Sequence, residues 1–148
     1  MVESGKVEFA TKGLDDLGGV ALKVVDLLSK RLLSGSVEVI LSGELGAGKT
    51  TFAEMVIRGL GYTGEDFVSP TYVLQRIYRV SEGLMVEHWD LYRVRELPVE
   101  LDFLPEVGVL RLIEWGERFM LPEEVDLVVR IDRGDRLSRV TISGATLF

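Results

Sequence analysis

The order of apolar and polar residues along the chain follows two periods, one typical of helices and one typical of strands. Apolar side chains recur every three or four positions over residues 14–33, which predicts an amphipathic helix that ends at the Ser-Gly-Ser of residues 34–36. Its apolar positions are Leu14, Leu17, Val20, Ala21, Val24, Val25, Leu28 and Leu32. Residues 49–60 have a similar period and predict a second helix.

Shorter apolar or alternating runs predict about seven strands, at 7–10, 37–41, 72–80, 84–89, 109–113, 126–131 and 137–142. Turn residues at 81–83 and 132–135 separate two pairs of these runs, which predicts two hairpins. Short helical turns are expected at Val99, which follows Pro98, and at 117–120. We therefore predict an α/β fold, a single domain over 1–148 with a mixed sheet of about seven strands and few flanking helices.

Composition narrows the functional class. The chain has no cysteine, which excludes disulfides and thiolate metal sites, and its net charge of −7 argues against a large nucleic-acid footprint. No apolar run approaches the ~20 residues that a membrane helix requires, and the first residues lack an apolar signal core. We expect a cytoplasmic protein without membrane contact.

The motif that points to chemistry is Gly-Glu-Leu-Gly-Ala-Gly-Lys-Thr at 43–50, which matches the phosphate-loop pattern G-x-x-x-x-G-K-[ST] between a predicted strand and a predicted helix. Glycines let backbone N–H groups turn around a phosphate, and the helix N-terminus adds its dipole. Lys49 can reach the β- and γ-phosphates, and the Thr50 hydroxyl can bind Mg²⁺. The plainer alternative is a glycine-rich turn with an incidental lysine.

Two acids end predicted strands and are candidates for the metal and the reaction. Asp90 fits a carboxylate that holds Mg²⁺, although it could equally cap the segment that follows it. Glu114 could polarise water or complete the outer metal shell; the alternative is a surface pair with Arg118, four residues on. Trp115 beside it is either a lid or a core aromatic, and general burial statistics favour the core.

Two further features lie near the expected site. Ser69, Pro70 and Thr71 could form a switch that senses the γ-phosphate, although a simple turn into the next strand is the plainer interpretation. His88 is the only histidine in the chain, and we expect it to orient a neighbour rather than bind metal.

Four motifs follow one another along the chain: the phosphate loop extended to 43–51, Val-Ser-Pro-Thr-Tyr at 68–72, His-Trp-Asp-Leu-Tyr-Arg at 88–93 and Ile-Glu-Trp at 113–115. Together, and in this order, they resemble the TsaE (YjeE) family. That resemblance implies a bacterial ATPase of tRNA N6-threonylcarbamoyladenosine (t6A) biosynthesis, and it covers nearly the whole chain. The sequence departs from the family at Leu14, where a threonine usually stands three residues before the Leu-Gly pair.

The resemblance also implies roles for individual residues. ATP or ADP would contact Glu44, Leu45, Gly46, Ala47, Gly48, Lys49, Thr50, Thr51 and Trp115. Lys49, Asp90 and Glu114 would be catalytic, Mg²⁺ would lie at Thr50, Asp90 and Glu114, and Ser69-Pro70-Thr71 would be the switch. The expected partner is the TsaB–TsaD complex, whose TsaD subunit modifies adenosine 37. This chain would hydrolyse ATP slowly to reset that transferase and would meet tRNA only through the complex.

Two other functional classes share a phosphate loop. A small-molecule or nucleoside kinase would also need an acceptor site and an arginine-rich lid, and no lid-sized insertion is visible. A GTP-dependent switch would need an Asn-Lys-x-Asp segment downstream of the loop, and the chain contains no asparagine. ATP is therefore the expected nucleotide.

Overall fold

The strands assemble into one seven-stranded sheet in the order β1-β7-β6-β2-β5-β4-β3. The structure, a computed structural model, describes residues 5–144 apart from the side chain of Tyr72. The strands are β1 (Gly5–Thr11), β2 (Val37–Ser42), β3 (Gln75–Ser81), β4 (Leu84–Asp90), β5 (Val109–Glu114), β6 (Leu127–Arg133) and β7 (Ser138–Gly144), and the helices are α1 (Leu14–Leu32) and α2 (Lys49–Gly59).

The central strands β2 and β5 are buried along their whole length, because both faces of the sheet are covered. The apolar stripes of α1 and α2 pack on one face, against alternate residues such as Val39, Leu41 and Leu112. The other face carries Ile40, Trp89 and Ile113, and irregular segments with short 3-10 turns cover it. The two cores lie back to back, separated by the sheet.

Parallel pairing brings the functional strand ends to one edge. β2 pairs in parallel with both β5 and β6, and β4 pairs in parallel with β5. The carboxyl ends of these four strands therefore lie beside one another, and the loop that leaves β2 starts among them. In the β4–β5 ladder Asp90 is directly opposite Glu114.

The mixed seven-stranded sheet, both hairpins and both helices are confirmed, and the helix ends lie within one residue of the prediction. The predicted start of the third strand at residue 72 is wrong. Pro70–Tyr72 forms a 3-10 turn, and the Ser69 side chain caps its start. Leu74 then adopts a positive φ of 68°, and β3 begins only at Gln75. The pattern of apolar residues cannot reveal such a turn, because three residues are too few to show a helical period.

Candidate functional site

The phosphate loop runs from the end of β2 into α2, and its glycines are required by its geometry. Gly43 has φ 148°, and a Cβ there would lie 2.5 Å from the carbonyl oxygen of Ile131 on the neighbouring strand β6. Gly48, the first residue before α2, is left-handed with φ 109°, and no side chain caps the helix start there. The first amides of α2 are thus open toward the loop, as an anion site requires.

Lys49 points inward from the first turn of α2. Its side chain is only 5% exposed, its Nζ donates to the Gly43 carbonyl oxygen at 2.6 Å, and Nζ lies 3.4 Å from the centre of the Trp115 ring. Burial lowers the pKa of Lys49, and the nearby carboxylate of Glu114 opposes that shift most strongly. The ammonium is therefore held by a loop carbonyl and an aromatic ring, neither of which neutralises its charge as a phosphate would.

Glu114 joins the helix to the sheet. Both of its carboxylate oxygens accept from the Thr50 hydroxyl, at 3.0 and 2.9 Å, and Oε2 also lies 2.7 Å from Nε2 of His88. The alternative pairing with Arg118 is not observed, since the Arg118 guanidinium instead donates to the carbonyl oxygens of residues 91, 92 and 94. The second acid is therefore an interior residue of the site, in contact with both Thr50 and His88.

Asp90 is bound on both of its carboxylate oxygens. Oδ2 accepts from the Thr71 hydroxyl at 3.1 Å, and Oδ1 accepts from the backbone amide of Tyr92 at 2.9 Å. The Thr71 hydroxyl is in turn 2.8 Å from that of Ser69. No helix follows Asp90 directly in the described part of the chain, so one oxygen fixes a turn rather than caps a helix, and the other meets the Ser69-Pro70-Thr71 segment.

A cavity of about 290 Å³ lies among these groups, lined by the phosphate loop and by Thr71, Asp90, Tyr92, Glu114 and Trp115. Trp115 has a left-handed φ of 63°, is partly buried, and its ring lies 5.0 Å from that of Tyr92 at the cavity wall. The Trp115 side chain therefore combines core packing with contact to the site.

The oxygen ligands around the cavity suit Mg²⁺, which is bound by hydroxyls, carboxylates, water and phosphate oxygens. Over residues 5–144, no three histidine, cysteine or acidic side chains converge as a metal cage. The Asp90 and Glu114 carboxylates fit a cation that one or two protein carboxylates share with the phosphates of a nucleotide.

Residues 44–46 at the loop tip are exposed, and two of them line this cavity. Glu44 and Thr51 have exposed side chains, and Leu45 is exposed and lines the cavity from the solvent side. Gly46, Gly48 and Thr51 line both this cavity and a second one on the other side of the loop. Ala47 lines only the second.

The second cavity, about 430 Å³, was not anticipated from the sequence. It lies between the end of β1, the start of α1 and the β6–β7 hairpin, and Leu14 is among its lining residues. Arg133, expected to be only part of a turn, donates from Nη1 to the Gly46 carbonyl oxygen at 2.9 Å. No local signal could reveal this contact, because the two residues are 87 positions apart and meet only through the strand order.

Comparison with known proteins agrees with this fold and identifies the family. The profile of the family described as "Threonylcarbamoyl adenosine biosynthesis protein TsaE" matches residues 14–141. The chain belongs to the TsaE family. Its members are P-loop-type ATPases involved in t6A biosynthesis.

Individual relatives match over most of their length. The TsaE protein of Haemophilus influenzae is 36% identical over 131 residues, 84% of this chain and 80% of its own. The TsaE protein of Aquifex aeolicus is 36% identical over 110 residues, 74% of this chain and 77% of its own. The crystal structure of Bacillus subtilis YdiB superposes with a TM-score of 0.71 at 25% identity, covering 97% of this chain and 88% of YdiB.

The helices of residues 5–144 are all too short or too polar to cross a bilayer.

Proposed function

We propose that this TsaE-family protein binds ATP with Mg²⁺ at the phosphate loop, hydrolyses it slowly, and acts on the TsaB–TsaD complex of t6A biosynthesis. The observation that supports this most strongly is the convergence of Thr50, Asp90 and Glu114 at one edge of the sheet, beside an open helix N-terminus. In this proposal, tRNA is reached only through the complex.

The phosphates would bind to the loop amides and the first amides of α2, and Lys49 would transfer its donor from the Gly43 carbonyl to a phosphate oxygen. The larger cavity on the other side of the loop would take the nucleoside end, since it adjoins Gly46 and Gly48 and is large enough for a small ligand. Trp115 would follow the movement of Lys49, because its ring lies over the ammonium.

The metal role would fall to Thr50 and Asp90, with Glu114 close by. A hydroxyl has one donor and two lone pairs, so Thr50 can donate to Glu114 and still offer oxygen to Mg²⁺. The bound metal would neutralise phosphate charge as bonds to the γ-phosphoryl group change. Glu114 is then the carboxylate best situated to accept a proton from attacking water.

Replacement of Lys49 by Ala tests the nucleotide site. We expect ATP affinity, measured by isothermal titration calorimetry with Mg²⁺, to fall about a hundredfold or more, because an ammonium–phosphate contact of roughly 3 kcal/mol is lost. Lys30→Ala, at an exposed lysine in the last turn of α1, is the matched control and should bind normally. Unchanged affinity in Lys49→Ala would contradict the site, and tighter binding of GTP than ATP would contradict the nucleotide.

The partner is tested separately, by co-purification with TsaB and TsaD from the same source in ATP and in ADP. We expect association that depends on which nucleotide is bound. Absence of association with either nucleotide would reject the partner and leave the nucleotide site standing. Rapid phosphate transfer to a nucleoside, with little release to water, would instead identify a kinase.

A further inference from the structure

We infer that His88 is a positioning residue: its imidazole fixes the Glu114 carboxylate against Thr50 and so sets the Mg²⁺ requirement of nucleotide binding. This inference rests on the proposed function and adds to it a residue that would contact neither nucleotide nor metal.

The geometry of His88 commits its one hydrogen bond to Glu114. The side chain is 0% exposed on the helix face of β4, and Nε2 lies 2.7 Å from Oε2 of Glu114 on the neighbouring strand. A carboxylate only accepts hydrogen bonds, so Nε2 must be the donor. The other ring nitrogen, Nδ1, has no hydrogen-bond partner among the described residues.

A buried nitrogen without a hydrogen-bond partner lowers the stability of the fold, and a role in packing alone does not compensate for that loss. An apolar side chain of similar size would fill this interior position without leaving Nδ1 unpaired. The Phe67 ring lies on the other side, 6.1 Å from the imidazole centre, and it supplies packing but no hydrogen bond. The retained histidine is therefore best explained by what Nε2 does for Glu114.

Two donors hold Glu114 from different sides. Thr50 approaches from α2 and His88 from β4, so the carboxylate is fixed between the helix that carries the phosphate loop and the strand that carries Asp90. Thr50 rotates freely as a hydroxyl, whereas the imidazole is rigid. Without His88, the carboxylate would follow Thr50 rather than direct it, and the Thr50 lone pairs would no longer be aimed at the cavity.

The test uses three variants that separate the donor from the volume. His88→Gln places an amide N–H where Nε2 stands, His88→Asn places it where Nδ1 stands, and His88→Leu fills the space with no donor. We measure ATP binding by calorimetry over a series of Mg²⁺ concentrations. Loss of an outer-shell partner typically costs 10–100-fold in metal affinity, so His88→Leu and His88→Asn should need at least about tenfold more Mg²⁺.

The Mg²⁺ concentration that His88→Gln needs for ATP binding should stay within about threefold of the wild-type value, because Gln restores the donor. Val86→Ala is the matched control: it lies on the same face of β4, is equally buried, and destabilises the fold without touching Glu114. Its Mg²⁺ requirement should not change. If His88→Leu fails to fold, the comparison of Gln with Asn decides.

The outcomes distinguish this inference from the function on which it rests. A wild-type protein whose ATP binding ignores Mg²⁺ would contradict the proposed function and the His88 role together. A wild-type dependence on Mg²⁺ that survives unchanged in His88→Leu or His88→Asn would overturn the His88 role alone. An equal rise in the Mg²⁺ requirement of His88→Gln, His88→Asn and Val86→Ala would also overturn it, because such a rise would indicate a packing effect.

Discussion

Strands β4 and β5 carry two polar clusters on opposite faces of the sheet, and the two are built differently. At the first, Glu87 of β4 is opposite Arg111 of β5; at the second, three positions further along each strand, Asp90 is opposite Glu114. An odd step along a strand reverses the face, so the first cluster lies under the 3-10 turns and the second under the helices.

The first cluster, which we term the ion-pair network, consists of Glu38, Glu87 and Arg111. The guanidinium is 5% exposed and donates to Glu87 at 2.8 Å and to Glu38 at 3.2 Å. It also donates to the carbonyl oxygens of Phe103 and Glu100, which ties the covering segment to the sheet. Four of the five guanidinium N–H donors are thus used, and Arg111 lines neither cavity beside the phosphate loop.

The second cluster holds its carboxylates with hydroxyls, an imidazole and a backbone amide rather than with a guanidinium. Such donors fix position while leaving negative charge for a cation. The contrast indicates how to distinguish the two types of buried carboxylate on one sheet. On this sheet the carboxylates paired with arginine lie away from the phosphate loop, and those held by hydroxyls lie at the strand ends beside it.

The Arg111→Met variant should separate the two clusters most clearly. It should lower the free energy of unfolding and leave ATP binding unchanged. Removing one partner of a buried pair leaves uncompensated charge, and we expect a loss of about 3–5 kcal/mol in the free energy of unfolding, measured by urea denaturation. Arg130→Met is the control, since the Arg130–Asp132 pair is about half exposed and should cost under about 1 kcal/mol. Equal losses in the two variants would contradict the role of the network.

The Arg111→Met penalty should also depend on pH. Burial raises the pKa of Glu38, and the contact with Arg111 opposes that shift. Without Arg111 the folded-state pKa rises further above the unfolded value, so the native state binds more protons and the stability of the variant falls as pH rises. The penalty should therefore be smaller at pH 5 than at pH 8. A penalty that grows toward acid would show that Glu38 is not the group left uncompensated.

Glu114→Gln should give the opposite pattern, with activity lost and stability kept. The amide oxygen can still accept from Thr50 and His88, so we expect the free energy of unfolding to change by less than about 1 kcal/mol. Loss of the carboxylate as a base should lower steady-state phosphate release about a hundredfold, measured with Mg²⁺ and ATP, and with TsaB–TsaD present. Glu123→Gln, at an exposed acid, should behave as wild type.

The sequence predicts the second cluster better than the first. The phosphate loop is a local signal, and acids that follow apolar runs lie at strand ends by rule, so Asp90 and Glu114 could be named in advance. The pairing of Asp90 opposite Glu114 could not be predicted without the strand order. The 18 residues between β4 and β5 contain only one short 3-10 helix, so they do not indicate how the two strands pair.

Contacts between distant segments carried no sequence signal at all. His88 could be expected to orient some neighbour, but that this neighbour is Glu114 depends on a diagonal contact between strands. Arg111 interrupts an apolar strand, and its partners Glu38 and Glu87 come from two other strands. Arg133 reaches the phosphate loop only because β6 lies directly beside β2.

Thr71→Val offers the finest test of the second cluster, because it removes one hydroxyl without changing volume much. The variant loses the donor to Asp90 and the contact with Ser69. A hydrogen bond to a charged carboxylate is worth about 1.5–3 kcal/mol, so we expect ATP binding with Mg²⁺ to weaken about tenfold or more and to change little without Mg²⁺. Thr63→Val, at an exposed loop position, is the matched control. Equal weakening with and without Mg²⁺ would mean that Thr71 acts through the backbone turn rather than through Asp90, and that hydroxyl donors do not preorganise this carboxylate for a cation.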